Sequence, residues 1–209
     1  MYEPDDEALE IRRAAFATGD TARLLDYVQV VFGREWFDEE NRAAEAIERI
    51  AETVDRVAVS DPVGSRAALL YAHAALHVRM DDASVDRARE LLLGVPHESE
   101  DWPAAALQLV GVNEWHGVER SDKEYTFRLV SESVERAPGL VHNNARLGRL
   151  HASRGDIDEA RRYLEHARAN ILGESERRAL SLVERSYHEC FTGCLASPLG
   201  IDMDLTQLV

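Results

Sequence analysis

Apolar residues recur every three or four positions along most of the chain, which is the period of an amphipathic α-helix. Turn-forming residues fall between the periodic segments, for example at Asp61-Pro62 and Gly155-Asp156. The pattern predicts ten helices, near residues 6–18, 21–33, 38–58, 62–80, 84–94, 102–117, 121–137, 140–154, 157–171 and 174–192. No convincing alternation of strand type is present, so the sequence predicts an all-α fold.

The connections between the predicted helices are short, which makes successive helices antiparallel neighbours. The chain is therefore predicted to be a run of helix hairpins. Two helix starts are marked by their residues. Pro62 suits the first turn of its helix, where a missing N–H costs nothing. Ser121 with Glu124 forms a capping-box pattern, in which each side chain satisfies a free amide of the first turn.

One segment carries small residues at regular places. In NNARLGRLHASRGDIDEARRYLEHARANI, residues 143–171, Gly148 lies inside one predicted helix and Ala160 lies inside the next. Glycine inside a helix costs about 1 kcal/mol relative to alanine, so a packing reason is expected. The small residues are predicted to let the two helices approach closely, because a larger side chain there would force the hairpin apart.

Two weaker copies of this pattern lie upstream. The small residues of the three first helices recur every 37 positions and are Ala74, Gly111 and Gly148. The corresponding positions on the second helices are Ala88 and Leu92, Thr126 and Val130, and Ala160 and Leu164. Such spacing predicts a repeated hairpin unit.

The C-terminal copy resembles the tetratricopeptide repeat, whose pattern is W-x2-L-G-x2-Y…A-x3-F. The residues that carry the resemblance are Asn144, Leu147, Gly148, His151, Ala160 and Leu164, with Asn144, His151 and Leu164 in the places of Trp, Tyr and Phe. The resemblance covers residues 65–172 at most. It implies antiparallel helix hairpins stacked as a right-handed superhelix, closed by a capping helix. The implied organisation is an N-terminal helical region (1–60), repeats (61–173), a capping helix (174–196) and a tail (197–209).

The resemblance also implies a function. Tetratricopeptide-repeat proteins generally bind peptides or protein segments in a concave groove lined by the first helix of each hairpin, and they carry no chemistry. An interaction module without enzymatic activity is therefore expected. By helical phase, the residues predicted to line the groove are Tyr71, Ala75, Arg79, Gln108, Val112, Trp115, His142, Arg146 and Arg149.

The predicted groove combines an aromatic anchor, a side-chain amide and guanidinium groups, which are groups that bind peptides. Arg79, Arg146 and Arg149 would form a positive patch, so a protein segment with an acidic or C-terminal carboxylate element is the expected partner. The alternative is that these arginines pair with nearby carboxylates on a solvated face. The family's carboxylate clamp uses Lys and Asn at set positions, which this chain does not reproduce, so the clamp is not carried over.

The formal net charge of −15 narrows the choice of partner. Such a charge repels nucleic acid and anionic membrane surfaces. No window approaches the ~18 uninterrupted apolar residues of a membrane span, and the N-terminus shows no secretory signal, so a cytoplasmic location is expected. A saline habitat would also explain the acidity.

Histidines and cysteines are the other candidates for chemistry. His73 and His77 lie four residues apart on one predicted helix face, a geometry that can hold zinc. Further ligands are not evident, and both fall at packing positions of the repeat, as His151 does. Cys190 and Cys194 lack the tight C-x2-C knuckle and are better explained as buried free thiols. Neither a metal nor a cofactor is predicted.

Two further functional interpretations stand beside the interaction module. One is an all-helical protein that binds a small ligand or a metal, with or without catalysis, through the helix of His73 and His77. The other is a structural homo-oligomer. No phosphate-binding loop and no G-x-S-x-G motif is present. The tail, SPLGIDMDLTQLV, carries an apolar set that either packs along the last helix or enters a groove of its own or of a second copy.

Overall fold

The computed structural model describes residues 40–115 and 122–170, together with residues 14, 21, 22, 25 and 26. Seven helices and no strands occur over these residues, which confirms the all-α class for this part of the chain. The helices are α1 (Glu40–Arg56), α2 (Pro62–Ala74), α3 (Asp82–Leu93), α4 (Trp102–Asn113), α5 (Lys123–Arg136), α6 (Val141–Ser153) and α7 (Ile157–Ala169).

The helix ends follow the predicted ones within a few residues, with one difference in kind. After α2 the backbone continues as a π-helical turn, Ala75–Arg79, and then reverses at Met80, whose φ of 52° is left-handed. The predicted helix 62–80 therefore changes its hydrogen-bond pattern near its end. The predicted helix 174–192, the tail and most of the two N-terminal helices lie outside the described residues.

Aspartate side chains begin three of the helices. Asp61 accepts a hydrogen bond from the amide of Val63 at 2.8 Å, and Asp81 accepts one from the amide of Ser84 at 2.9 Å. Both satisfy amides that lack a partner within the helix. At α5 the cap is Asp122, whose side chain accepts hydrogen bonds from the backbone amides of Glu124 and Tyr125, both at 3.0 Å. The predicted start of this helix at Ser121 was therefore one residue early.

The helices pack as neighbours along the chain and also across one position. Each helix from α1 to α7 contacts the next one, and in addition α2 contacts α4, which contacts α6. The alternate helices α2, α4 and α6 therefore form a continuous row, which we call the inner row. The helices α3, α5 and α7 pack beside it and carry most of the exposed charged side chains, and we call them the outer helices.

The apolar core has two parts. The main cluster runs from Ile50 and Val54 of α1 through the next four helices to Leu147 of α6. A smaller cluster joins α6 to α7 and consists of Val141, Ala145, Leu164 and Ala167. The last hairpin therefore has a small core of its own.

A buried polar network fastens the last two hairpins together. The side-chain amide of Asn143 on α6 donates to the carbonyl of Pro103 on α4 at 2.9 Å, and the hydroxyl of Ser133 on α5 donates to the same carbonyl at 3.0 Å. The amide of Asn143 also bonds the hydroxyl of Ser133. All three groups are buried, so the network satisfies groups that would otherwise be costly to remove from water.

Candidate functional site

Gly148 brings the two helices of the last hairpin into close contact. A Cβ atom at this position would lie 2.7 Å from Cγ of Leu164 and 3.1 Å from the backbone oxygen of Ala160. Ala160 and Leu164 are fully buried. Only a hydrogen atom fits between α6 and α7 here, which is the packing reason predicted for Gly148 and Ala160.

Gly111 makes a different contact from the one predicted. A Cβ atom at Gly111 would meet Leu76 at 3.2 Å, and Leu76 belongs to the π-helical turn after α2. The small residue therefore faces the preceding helix of the inner row and not α5, the second helix of its own hairpin. The expected second-helix positions Thr126 and Val130 are nevertheless buried, at 2% and 0% exposed.

Three of the predicted groove residues belong to the core. Tyr71 is 8% exposed, Ala75 is 0% exposed and Val112 is 4% exposed, and all three join the main apolar cluster. Their assignment to an open groove is therefore wrong. The reason is that the main cluster extends across these positions, and its members include Leu25, which lies before α1 in the chain; Asp26 also forms an ion pair with Arg66 of α2 at 2.7 Å.

The other six predicted groove residues reach the surface to some extent. Arg79 is exposed, and Gln108, Trp115, His142, Arg146 and Arg149 are half-buried. They lie on α4 and α6 or at the ends of these and the preceding inner helix. The accessible part of the predicted groove is therefore the stretch of the inner row formed by α4 and α6.

Trp115 and Arg146 are among the side chains of this set that already have partners within the protein. The indole N–H of Trp115 donates to Asp82 at 2.8 Å, which fastens the end of α4 to the start of α3. Arg146 forms an ion pair with Glu114 through its Nη2 atom. At Arg146 this pairing agrees with the alternative interpretation, in which the arginines pair with nearby carboxylates. The sequence did not indicate Glu114 or Asp82, because their partners lie about 30 residues away.

Two buried polar atoms on the same stretch are not satisfied. Among the described residues, no group donates a hydrogen bond to Oε1 of Gln108, and no group accepts one from Nε of Arg146. Buried polar atoms in proteins almost always have a partner, and leaving one unmatched costs about 1–3 kcal/mol. Both atoms are buried in the free protein, so a bound molecule would reach them only after the side chains of Gln108 and Arg146 rotate outward.

The start of α3 lies beside the exposed Arg79. The amide and the hydroxyl of Ser84 lower the pKa of Asp81, because they stabilise its ionised form, and the nearby Arg79 adds a smaller effect in the same direction. Asp81 therefore stays charged at neutral pH and neutralises part of the charge that Arg79 was predicted to offer to a partner.

His73 and His151, two of the candidate histidines, take structural places. His73 is 6% exposed on α2. His151 lies between Phe127, at 5.1 Å in an edge contact, and Tyr163, at 5.4 Å in a stacked contact. Among the described residues no group of three or more His, Cys, Asp or Glu side chains is placed to hold a metal ion. The side chain of His77 and both cysteines lie outside the described side chains.

A second surface feature lies on the outer helices. A pocket of about 260 Å³ opens between α3, α4 and α5, and we call it the outer pocket. Its lining consists of Leu92, Leu93, Val95, Trp102, Ala106, Leu109, Tyr125, Arg128, Leu129 and Glu132. Sequence analysis did not predict this pocket, because its walls come from three helices and the loop between α3 and α4.

Comparisons with protein-family models, with curated proteins and with solved structures all found no match. The resemblance to the tetratricopeptide repeat therefore depends on the residues quoted above.

None of the helices over the described residues is long and apolar enough to cross a membrane.

Proposed function

We propose that this protein is an interaction module that binds an extended protein segment along the inner row, at the stretch formed by α4 and α6. The proposal includes a tetratricopeptide-like, right-handed superhelical arrangement of the three hairpins. The contacts of α2 with α4 and of α4 with α6 support it, because a continuous row of first helices is what such stacking requires.

The observation that carries the proposal is the continuous row of α2, α4 and α6, whose accessible stretch carries the half-buried side chains of Gln108 and Arg146. Oε1 of Gln108 and Nε of Arg146 have no partner among the described residues, and once these side chains rotate outward, a peptide N–H can bind the first atom and a carboxylate the second. Binding would then remove the cost of two unmatched groups, which is a source of both affinity and specificity. A segment with an acidic side chain or a C-terminal carboxylate satisfies both atoms.

Gln108→Leu tests this proposal. The change removes the acceptor and leaves a side chain of similar size, so we expect the folded protein to be as stable as the wild type or more stable. Capture of the partner should fall by about tenfold or more, because the N–H of the segment loses its acceptor and must be buried unpaired. The matched control is Arg162→Leu, on an exposed site of the outer helix α7.

The measurement is quantitative affinity capture from native lysate with wild type, Gln108→Leu and Arg162→Leu, each checked for folding by circular dichroism. A protein that the wild type and the control capture, and that Gln108→Leu loses, supports binding at the inner row. Equal capture by all three proteins, or no specific capture by the wild type, contradicts the proposal.

A further inference from the structure

The outer pocket is smaller than most pockets that bind small molecules. Its volume of about 260 Å³ is below the ~300–1,000 Å³ range of pockets that enclose a drug-sized ligand. Buried leucine, valine and alanine side chains form most of its floor, and the half-buried ring of Tyr125 stands at its edge. Pockets of this kind, with Tyr, Trp and Arg in their walls, accept apolar anchor residues at protein interfaces.

An exposed apolar side chain stands beside this pocket. Leu93, at the end of α3, is 54% exposed and lines the rim. The same surface therefore offers both a cavity that accepts an apolar side chain and an apolar side chain that can be inserted. A surface with both features can bind a second copy of itself.

Two opposite charges on the rim also fit a second copy. Arg128 and Glu132 lie one turn apart on α5, at the same pocket, and within the described residues neither of them forms an ion pair. The basic residue precedes the acidic one, which is the less favourable order for a pair within one helix. The guanidinium of Arg128 lies instead over the ring of Tyr125, 5.6 Å from its centre.

We propose that this face is a homodimer interface with twofold symmetry, in which α5 of two copies lie antiparallel. A twofold axis makes each contact occur twice, with the roles of the two copies exchanged. Arg128 of one copy then pairs with Glu132 of the other, and Glu132 pairs with Arg128. The spacing of the charges is the same in both copies, because each carries Arg128 and Glu132 four residues, or about 6 Å, apart.

The apolar and charged contacts have different roles in this dimer. Leu93 of each copy enters the outer pocket of the other, and this burial provides the affinity, while the two ion pairs fix the register. The net charge of −15 on each chain opposes association at long range. At about 0.15 M salt the screening length is about 8 Å, so the contact pairs persist while the long-range repulsion is screened.

Charge reversal tests the register directly. Arg128→Glu places two glutamates opposite each other, and Glu132→Arg places two arginines opposite each other, so each single variant should dimerise at least about tenfold more weakly than the wild type. An equal mixture of the two variants restores opposite charges at both contacts and should form the heterodimer. The double variant Arg128→Glu/Glu132→Arg should also recover the dimer.

Sedimentation or light scattering measures these outcomes against the chain mass of 23.4 kDa. The controls are Arg162→Glu, an exposed charge reversal on α7, and Gln108→Leu, which affects only the inner row; both should dimerise as the wild type does. The proposal is overturned by a wild type that stays monomeric at high micromolar concentration, by single variants that dimerise normally, or by a mixture that does not recover. Failure of the peptide-binding proposal leaves all these outcomes unchanged.

Discussion

The hairpins α4–α5 and α6–α7 carry a glycine at the same place in the repeated pattern and use it in different ways. Gly148 lies against Leu164 of its own hairpin, so that α6 and α7 touch. Gly111 lies against Leu76 of the preceding inner helix, so that α4 packs against the turn after α2. In the first case the glycine closes a hairpin, and in the second it brings two hairpins together.

The difference teaches that equal spacing does not fix the contact that a small residue makes. In the last hairpin two helices meet at a small separate core, and the close approach must occur between them. In the α4–α5 hairpin both helices belong to the main core, and the close contact of Gly111 is with Leu76 in the π-helical turn after α2. The partner of a small residue therefore depends on the neighbouring hairpin as well as on the repeat.

The strongest test of the separate core of the last hairpin is Leu164→Ala. Leu164 is fully buried and fills the space beside Gly148. We expect a loss of about 3 kcal/mol in the free energy of unfolding, because the change removes buried methyl groups and leaves a cavity. Urea denaturation followed by circular dichroism measures it. A loss below about 1 kcal/mol would show that this core contributes little.

Gly148→Ala tests the close approach itself. The added Cβ meets Cγ of Leu164 and a backbone oxygen, so overpacking should cost about 1–3 kcal/mol, partly offset by the better helix propensity of alanine. In a Leu164→Ala background the cost should be clearly smaller, since most of the clash is gone. Unfolding of the two single variants and the double variant measures this. Additive losses would contradict the contact.

Gly111→Ala should cost much less stability than Gly148→Ala. The single close atom is the end of the flexible Leu76 side chain, which can move by a few tenths of an ångström, and alanine gains up to about 1 kcal/mol of helix propensity. We expect stability within about 0.5 kcal/mol of the wild type or slightly above it. The same denaturation experiment measures it. A loss as large as that of Gly148→Ala would remove the difference between the two hairpins.

Asp81→Asn should have the smallest effect and a defined pH dependence. The pKa of Asp81 is lowered from its ordinary value of 3.8 in the folded protein, chiefly by hydrogen bonds from Ser84. Its charged form therefore stabilises the fold above pH 3.8, and this stabilisation is lost as the pH falls through the lowered pKa. The stability difference between wild type and Asp81→Asn should shrink between pH 6 and pH 3. A difference that does not change with pH would show that the charge of Asp81 has no effect on folding.

The predicted hairpin pattern located the small-residue contact correctly in the last hairpin because both partners belong to one local unit.

The groove was harder to predict. Helical phase placed Tyr71, Ala75 and Val112 on one face, but it cannot tell whether a face is open or covered by another part of the chain. Arg66 of α2, for example, forms an ion pair with Asp26, which lies 40 residues earlier in the chain.

The outer pocket shows the same limit for an unpredicted feature. Leu93, Arg128 and Glu132 look like ordinary surface residues in the sequence, and only the packing of α3, α4 and α5 places them at one cavity.

The sequence by itself determined the helices of the described region, the proline start of α2, and the need for Gly148, because helical periodicity, proline geometry and tight packing are recorded in residues close together along the chain. Only the tertiary structure decided which faces remain accessible, which carboxylate pairs with Arg146, and where the outer pocket lies. These properties depend on contacts between helices that are 30 or more residues apart, such as Arg146 with Glu114, and local residue patterns do not specify them.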